Sequence, residues 1–526
     1  MRDFHLPGRS PVIAANGICA TSHPLAARVA VQMLESGGNA VDAAIAAAVL
    51  LGICEPASTG LGGDCFALVK PAGEDRIIAL NGSGRSPAVW NGDALRAAGH
   101  ATVPLYSADA VTLPGAVDGF CRLSDDWGRI GLAATLAPAI RYADAGVPVG
   151  MRTAYDWQGR EKFLKGAARR FYLMDGKAPT PGQMFRAPNQ AEVLRRIAKD
   201  GRNGFYTGEV AADMVASLAA MGGTHSLDDF GNVACDYTEP VSGLYRGTEL
   251  VEHAPNGQGA TAILLNNILE SFDLAALDPF GAARAHIEAE AAKLAYDARD
   301  RFIADADHTT RLAHMLAPET ARDLAGLIDP GRAGPALAAK AGAFHRDTVY
   351  VSVVDRNRMA VSLIYSVYYG FGSGLASTRF GINFQNRGAG FTLERGHPNE
   401  AGPQKRPMHT IIPAMVRRNG RVTMPFGVMG GAYQPTGHSR VLSNMVDFGL
   451  DPQAALDAPR CFAFEDVLSV ERGYPQSVRA ELSDLGHDVV VPDTPLGGGQ
   501  AVVIDDENGV LIGASDPRKD GCALGY

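Results

Sequence analysis

The sequence predicts an α+β protein in which helices cover stacked antiparallel sheets. The first part of the chain is alanine-rich and helical, and the last part consists of short β-branched runs separated by turn signals. Of the 526 residues, 46% are hydrophobic and 20% are charged. This ordinary globular composition can fill a large core and excludes wholesale disorder. Length alone would allow three or four domains of about 150 residues.

Charge and cysteine content narrow the class of protein. The 48 Lys and Arg residues against 57 Asp and Glu residues give a net charge of −9, which argues against a nucleic-acid-binding surface. The 7 cysteines include no Cys-x-x-Cys pair and indicate reduced thiols, not disulfides or a zinc site. The sequence shows no signal-peptide core, and its most apolar run, residues 43–54, is too short to span a bilayer. We therefore expect a cytoplasmic protein with no nucleic-acid or membrane partner.

The N-terminal elements are predicted from caps and glycines. A first helix begins at Pro24 and ends before Gly37, and Asn39 opens a second helix that continues to about residue 53. The second helix is apolar nearly all round, which predicts a buried position. The cluster Gly60-Leu61-Gly62-Gly63 then precedes a strand. Because it lacks Gly-Lys-Ser/Thr and comes before the strand, a tight turn is favoured over a phosphate loop.

The middle of the chain contains one spacing that could bind a metal. Residues 285–302 form a strong helix, on which His286 and Glu290 lie one turn apart. With no further histidine nearby in the sequence, a structural role is favoured, and we expect neither a metal nor a cofactor. The stretch from 321 to 347 is rich in Ala and Gly up to residue 344, which predicts a flexible connector.

Three hairpins are predicted in the last third of the chain from β-branched runs around short turns. Their strands are expected at 349–355 and 359–367, at 410–417 and 421–428, and at 501–505 and 510–514. A helix near 475–485 lies between the second hairpin and the third.

The hairpin registers bring chemistry-bearing residues together. The first hairpin sets Thr348 opposite Ser366, and the second, closed by Arg418 and Arg421, sets His409 opposite Gly430. Taken alone, a threonine that opens a strand is usually only a β-former. The sequence contains no Gly-x-Ser-x-Gly or His-Glu-x-x-His motif, and Ser373 is interpreted as a turn residue.

Several segments, in order and over nearly the whole chain, resemble the γ-glutamyltransferase (glutathione hydrolase) family. They are Ser36-Gly37-Gly38-Asn39-Ala40-Val41-Asp42-Ala43-Ala44, Gly60-Leu61-Gly62-Gly63, Asp347-Thr348-Val349-Tyr350-Val351-Ser352-Val353-Val354-Asp355, Phe371-Gly372-Ser373-Gly374, Lys405-Arg406-Pro407, Met429-Gly430-Gly431 and Ala514-Ser515-Asp516-Pro517-Arg518. Each motif is weak by itself, but the set is specific for the family.

The resemblance implies a four-layer αββα N-terminal-nucleophile hydrolase. The precursor would cut itself between Asp347 and Thr348 into a large subunit, 1–347, and a small subunit, 348–526, which form one structural unit. Thr348 would be the nucleophile, with its freed α-amino group as the base. Ser366 falls on the family's assisting threonine. The N–H groups of Gly430 and Gly431 would stabilise the oxyanion.

The substrate-binding positions depart from those of the family's transpeptidases. The arginine that binds the α-carboxylate falls on Ser83, and Arg85, two residues on, shares its face in an extended segment. The positions that receive the α-ammonium group fall on Tyr368, Arg387 and Gly390, and the family's serine pair falls on His409-Thr410. An arginine about 4 Å from an ammonium group costs on the order of 4 kcal/mol at an effective dielectric of 20. Glutathione is therefore a poor fit.

These departures favour a small amide that carries a carboxylate and no α-amino group, bound through Arg85, Arg387 or both. The oxamate amidohydrolase branch of the family, which acts in purine-nitrogen recycling, has a similar motif pattern, so we expect hydrolysis of oxamate to oxalate and ammonia. Two alternatives stay open: a glutathione hydrolase or glutaryl-type acylase, and a catalytically silent binding protein with the same fold. A dimer of the two-subunit units also stays open.

Overall fold

The computed structural model describes residues 4, 5, 8–335 and 348–526. The helices are α1 Pro24–Glu35, α2 Ala40–Cys54, α3 Gly92–Ala97, α4 Ala116–Trp127, α5 Leu132–Ala145, α6 Met151–Arg160, α7 Gly166–Tyr172, α8 Pro188–Asp200, α9 Asn203–Tyr206, α10 Gly208–Ala219, α11 Leu227–Gly231, α12 Gly259–Leu269, α13 Ala282–Phe302, α14 Leu312–Met315, α15 Pro318–Ala325, α16 Gln434–Val446, α17 Pro452–Asp457 and α18 Gln476–Asp484.

The strands are β1 Val12–Ala14, β2 Ile18–Thr21, β3 Asp64–Lys70, β4 Ile78–Gly82, β5 Val147–Pro148, β6 Met184–Phe185, β7 Asp236–Thr238, β8 Val241–Tyr245, β9 Thr248–Glu252, β10 Val349–Val354, β11 Ala360–Ser366, β12 Ala414–Arg418, β13 Arg421–Met429, β14 Cys461–Phe464, β15 Val467–Val470, β16 Val489–Val490, β17 Gly498–Asp505, β18 Val510–Ser515 and β19 Cys522–Gly525.

Two seven-stranded antiparallel sheets form the centre of the molecule. Sheet I has the order β19-β2-β10-β11-β3-β4-β7, and sheet II has the order β1-β18-β17-β13-β12-β9-β8. Strands β14, β15 and β16 form a small separate sheet, and β5 pairs with β6. Each large sheet therefore combines strands from both halves of the chain, so neither half could complete a sheet alone.

The layers are visible in how side chains alternate along β10. Val349, Val351 and Val353 pack with the helices α1, α2, α4 and α5 on one face of sheet I. Val354 on the opposite face packs between the two sheets, with Met415 and Val502 of sheet II. The outer face of sheet II is covered by α12, α13 and α16. The predicted αββα sandwich is confirmed.

The predicted N-terminal elements are confirmed. Every residue of α2 is buried, as its all-round apolar sequence predicts. The Asn39 side chain caps the helix by accepting from the N–H groups of Val41 and Asp42, and the Asp42 carboxylate accepts from the N–H of Asn39 at 2.9 Å. This reciprocal capping box fixes where the chain enters the buried layer.

The first and third predicted hairpins are also confirmed. β10 pairs with β11 in the expected register, with Val349 opposite Tyr365 and Val354 opposite Ala360. Arg358 adopts a φ of 61° at the end of the three-residue turn. This left-handed residue closes such turns and fixes the register. β17 pairs with β18 from Gln500 opposite Ser515 to Asp505 opposite Val510.

The expected register of the second hairpin is wrong at its open end. A bulge between Val416 and Arg417 shifts the pairing by one residue, and β12 starts only at Ala414. Pro413 has no N–H to continue the ladder. His409 instead forms a bridge with Gly257, so it does not lie opposite Gly430 in this hairpin.

The predicted connector begins later than expected. Its first residues belong to α15, whose Ala321 and Ala325 are buried against the core beside α12. A pattern of alanines that indicates a loose segment equally suits a short packed helix, which explains the error. Residues 336–347 of this stretch lie outside the described residues.

Candidate active site

Thr348 and Ser366 meet at the end of the β10–β11 hairpin. The Thr348 hydroxyl donates to Ser366 Oγ at 3.3 Å, and both residues are completely buried. Ser366 Oγ also accepts from the N–H of Tyr368 at 2.9 Å. The predicted juxtaposition of Thr348 and Ser366 is therefore present. Asp347, on the other side of the expected cut, lies outside the described residues.

The glycines Gly60, Gly62 and Gly63, which precede β3, allow close packing against the β10–β11 hairpin. A Cβ atom on Gly63 would lie 2.4 Å from the carbonyl oxygen of Ser366, and one on Gly62 would lie 2.1 Å from the carbonyl oxygen of Asn383. The N–H of Gly63 donates to the carbonyl of Gly60 at 2.9 Å, which closes the turn. The expectation of a tight turn in this cluster is confirmed.

Contacts across the sandwich join β10 to β13, the strand that the glycine pair Gly430-Gly431 directly follows. Ser352 Oγ donates to the carbonyl of Pro425 at 2.9 Å, and the Tyr350 ring packs on Gly427. These two contacts run along β10 toward Thr348 and along β13 toward Met429, so they agree with the expectation that Gly430 lies on the side of the Thr348 hairpin.

Gly430 and Gly431 adopt φ values of 122° and 57°, which favour glycine. The carbonyl of Gly431 accepts from Gln258 Nε2 at 2.9 Å, and Gln258 Oε1 accepts from Arg299 Nη1 at 3.0 Å. Both supporting side chains are buried. A fixed backbone of this kind can direct N–H groups at one developing negative charge. Gln258 and Arg299 carry no motif that would have revealed this role.

Arg387 is the most unusual side chain of the site. It is fully buried, and its guanidinium carbon lies 4.0 Å from the centre of the Tyr368 ring. Nη1 donates to Thr410 Oγ1 at 2.8 Å, whereas Nε and Nη2 have no hydrogen-bond partner among the described residues. Burial lowers the pKa of Arg387 to about 10, opposed by nearby Tyr368 and Asp64, so the group stays charged at neutral pH. Unpartnered buried donors on a cation create a strong preference for an anion.

Asp64 is a buried acidic residue near Arg387, and sequence reasoning missed it. It lies directly opposite Ser366 in the sheet. Its Oδ1 accepts from the N–H groups of Gly84 and Gly115, each at 3.0 Å, and from Gln385 Nε2 at 2.9 Å. Burial raises the pKa of Asp64 to about 6, while Arg387 and these hydrogen bonds oppose the rise. An acidic residue that opens an otherwise apolar strand was the available signal.

His409 completes the buried network as a neutral side chain. Its Nδ1 accepts from the N–H of Ile411 at 3.3 Å, so the ring proton is assigned to Nε2, which donates to Asp64 Oδ2 at 3.2 Å. Burial, reinforced by Arg387, holds the pKa of His409 well below its usual value. Thr348, Ser366, Tyr368, Arg387, His409 and Thr410 are thus linked through short contacts and Asp64.

The structure does not bring Arg85 into this group. Its guanidinium pairs with Asp305 at 3.0 Å and donates to the carbonyl of Gln404 at 3.1 Å. The side chain is 38% exposed and lines a separate groove with Asp307 and His308. Ser83, which was expected to share its face, is instead buried and accepts from Asn256 Nδ2 at 3.1 Å. Arg85 therefore does not lie with Arg387 in this structure, and its expected role as a carboxylate ligand finds no support in these contacts.

The expectation that His286 and Glu290 lack a nearby third ligand is also wrong. His487, from the segment after α18, lies against both, and the donor atoms of the three residues are all within 4.8 Å of one another. This cluster borders the small sheet and α18, away from the Thr348 hairpin.

Comparisons with known proteins agree on one family. The family described as gamma-glutamyltranspeptidase matches residues 26–526. The chain is 36% identical to the glutathione hydrolase-like YwrD proenzyme of Bacillus subtilis (strain 168), over 98% of this chain and 99% of that protein. It is 34% identical to the oxamate amidohydrolase proenzyme of Klebsiella pneumoniae, again over 98% and 99%.

A solved structure supports the same relationship. Cephalosporin acylase from Bacillus halodurans superimposes with a TM-score of 0.93 at 36% identity, covering 100% of this chain and 99% of that one. Within the described residues, no helix is both long and apolar enough to cross a membrane.

Proposed function

Because the chain belongs to the gamma-glutamyltranspeptidase family, we propose that it cuts itself between Asp347 and Thr348 and uses the freed Thr348 to hydrolyse a small amide that carries a carboxylate. It is a self-processing hydrolase of amide C–N bonds. The proposed cut yields chains of residues 1–347 and 348–526. Since each large sheet draws strands from both chains, they stay together as one unit.

The proposed mechanism follows from the surroundings of Thr348. The new α-amino group, with an ordinary pKa of about 7.7–8.0, takes the proton from Thr348 Oγ1 as the oxygen attacks the amide carbonyl. Ser366 Oγ positions that hydroxyl. The N–H groups of Gly430 and Gly431 stabilise the tetrahedral oxyanion. The leaving nitrogen takes up the proton and departs as ammonia, and water then hydrolyses the acyl ester on Thr348.

The single observation that carries the substrate class is the buried Arg387 with two unpartnered donors. A carboxylate presents two oxygens that match a guanidinium fork. Tyr368 links the two ends of the site, since its ring packs on Arg387 and its N–H donates to Ser366. The anion therefore lies close to the reacting carbonyl, and His409-Thr410 form the adjacent wall. Oxamate, in which the carboxylate is bonded directly to the amide carbonyl, suits this arrangement.

A second candidate is an acylase for longer acids such as glutaryl amides. It is favoured by the overall similarity to the cephalosporin acylase structure. A glutathione hydrolase is disfavoured because an α-ammonium group would meet the buried guanidinium of Arg387. The 34% identity to an oxamate amidohydrolase proenzyme supports the first candidate.

The seven cysteines bear on the setting in which the enzyme acts. All are free thiols, and six of them are buried. This usage is typical of proteins in a reducing compartment. We place the enzyme in the cytoplasm, and an oxamate-hydrolysing activity there fits the recycling of purine nitrogen.

Ammonia release from a panel of amides tests the proposed substrate class. The panel contains oxamate, glutamine, a glutaryl amide and acetamide, and cleavage of glutathione is followed in parallel. We expect oxamate to give the highest kcat/KM and acetamide, which lacks the carboxylate, to be a poor substrate. The Thr348→Ala variant is the blank for contaminating amidases. Fastest cleavage of glutathione or of acetamide would overturn the role given to Arg387.

A further inference from the structure

Three buried side chains converge on one point outside the proposed active site. His286 and Glu290 lie one turn apart on α13, and His487 comes from the segment between α18 and β16. Their exposed fractions are 0%, 6% and 7%. Two imidazoles and a carboxylate form the ligand set of many three-residue zinc sites.

The separations between the donor atoms suit a tetrahedral ion. His286 Nδ1 lies 2.8 Å from His487 Nε2, and His487 Nε2 lies 3.9 Å from Glu290 Oε1. Zinc bonds of about 2.0–2.1 Å in tetrahedral geometry place ligand atoms roughly 3.3 Å apart. These two separations fall on either side of this value, and all three donor atoms lie within 4.8 Å of one another, so side-chain shifts of about an ångström would accommodate an ion.

A second contact orients His286 as a ligand. Its Nε2 lies 2.8 Å from the carbonyl oxygen of Asp329, which can only accept, so Nε2 carries the proton. The lone pair of Nδ1 therefore points toward His487 and Glu290. A backbone carbonyl that fixes the remote ring N–H is the usual support of a metal-binding histidine.

The Glu290 carboxylate is also held in place by hydrogen bonds, one of them from Lys293 to the oxygen that would bind the ion. The N–H of Gly334 donates to Oε2 at 2.9 Å, and Lys293 Nζ donates to Oε1 at 2.6 Å. Lys293 and His487 line a cavity of about 590 Å³. This space gives an ion a route of entry, a place for the displaced ammonium group and room for a bound water.

We propose that His286 Nδ1, Glu290 Oε1 and His487 Nε2 bind one Zn²⁺ ion, with water from this cavity as the fourth ligand. Binding displaces Lys293 from Glu290 and moves the His487 proton from Nε2 to Nδ1. The ion ties α13 to the segment after α18. If the proposed cut before Thr348 occurs, these two elements belong to separate chains of the mature enzyme. Metal binding itself does not depend on that cut.

Zinc titration of full-length protein tests the site. Mature enzyme and the Thr348→Ala precursor are stripped with a chelator, transferred to chelator-free buffer and titrated with ZnCl₂ by calorimetry, with Tm measured in parallel. We expect one equivalent to bind and Tm to rise in both forms. Binding by an uncut Thr348→Ala precursor separates this proposal from the proposed self-cleavage.

Variants assign the ligands. His487→Ala should lose the bound equivalent, whereas His100→Ala, which removes an exposed histidine, should retain it. Because Lys293 competes with the ion, Lys293→Met should bind Zn²⁺ about tenfold more tightly, a gain that a misfolded variant could not give. No stoichiometric binding, equal binding by His487→Ala, or weaker binding by Lys293→Met would overturn the proposal.

Discussion

At the scale of single residues, Arg387 restricts the chemistry most. A fully buried guanidinium normally has all its donors satisfied, yet Nε and Nη2 of Arg387 have no partner among the described residues. Nearby Asp64 and Tyr368 partly offset the lowering of the Arg387 pKa by burial. Neither residue accepts a hydrogen bond from Nε or Nη2. These two donors without a partner support the proposal that Arg387 binds a substrate carboxylate.

Replacing Arg387 should separate anionic from neutral substrates. Arg387→Met removes two charge-assisted hydrogen bonds to the carboxylate, worth about 3 kcal/mol together, or roughly a 100-fold loss in kcat/KM for oxamate. The slow hydrolysis of acetamide should change little. Arg85→Met is the matched control and should leave both rates unchanged, because Arg85 pairs with Asp305 elsewhere. An unchanged KM for oxamate in Arg387→Met would contradict the role of Arg387 in binding the substrate.

Ser366 should matter through its hydroxyl. Ser366→Ala removes the oxygen that accepts from Thr348 and from the N–H of Tyr368, so we expect both self-cleavage and kcat to fall, by about 10-fold to 100-fold. Ser366→Thr keeps the hydroxyl and should recover most of both rates. The rates are followed by gel densitometry and ammonia release. A fully active Ser366→Ala enzyme would contradict the positioning role.

Residue-level prediction from sequence succeeded where contacts are local and failed where they are not. Thr348 and Ser366 are joined by one hairpin, so strand pairing alone brings them together. The pairing of Arg85 with Asp305 was not foreseen because the two residues are 220 positions apart. Asp64 was missed because its significance depends on Arg387 and His409, which approach it only in the folded sandwich.

At the scale of elements, α2 shows how a cap supports the core. Asn39→Ala removes the two hydrogen bonds that the side chain accepts from the first turn of this fully buried helix, and also the one that its Nδ2 donates to the carbonyl of Trp127 at 2.7 Å. We expect the free energy of unfolding to fall by about 1–2 kcal/mol, measured by urea denaturation of the uncut Thr348→Ala precursor.

The matched control for this cap is Asn91→Ala. Asn91 caps the short helix α3 through a single hydrogen bond to the N–H of Asp93, in an exposed position. Its loss should cost less than that of Asn39. Equal effects of the two substitutions would mean that neither the burial of α2 nor the Asn39–Trp127 hydrogen bond adds to the cap.

The first two predicted hairpins, β10–β11 and β12–β13, show what limits the prediction of strand register. Arg358 closes a three-residue turn at positive φ, and the ladder from Val349 to Val354 follows without interruption. In the second hairpin the turn at Asn419-Gly420 is placed correctly, but the bulge at Val416 and Arg417 is not encoded by any turn residue. A bulge shifts every later pair by one residue, so the predicted pairing of His409 with Gly430 was wrong.

At the scale of the whole molecule, the sequence indicates the layers because the patterns of helix and strand are strong in each half of the chain. It does not show that the halves share sheets: β10 of the second half lies between β2 of the first half and β11. Contacts between distant segments also place His487 beside His286 and Glu290, 201 residues away from His286.

The stability of the whole molecule should fall in acid. Burial lowers the pKa of His23, His225 and His253 to about 4. Between about pH 4 and pH 6.5 each histidine therefore binds a proton when the protein unfolds, and this weakens the folded state as the pH falls. Burial raises the pKa of Asp64 to about 6 and of Glu55 to about 7, and these two groups act in the opposite sense. Burial also lowers the pKa of His409. We expect the effect of the histidines to exceed that of Asp64 and Glu55, so Tm should be lower at pH 4.5 than at pH 7.

The variant Glu55→Gln tests the sign of this pH dependence. It removes a carboxyl group that binds a proton more readily in the folded state than in the unfolded state, so the loss of Tm between pH 7 and pH 4.5 should be larger than in the parent protein. Scanning calorimetry at several pH values measures it. A Tm that rises toward pH 4.5 in the parent would contradict the account of the buried histidines.

The position of the self-cleavage is the most direct test of the central claim. Intact mass spectrometry and N-terminal sequencing of the purified protein should find a small chain of residues 348–526 that begins at Thr348, together with the large chain. The Thr348→Ala variant should remain one chain of 55.3 kDa. A wild-type protein that hydrolyses amides as one uncut chain, or a small chain that begins at another residue, would contradict the account.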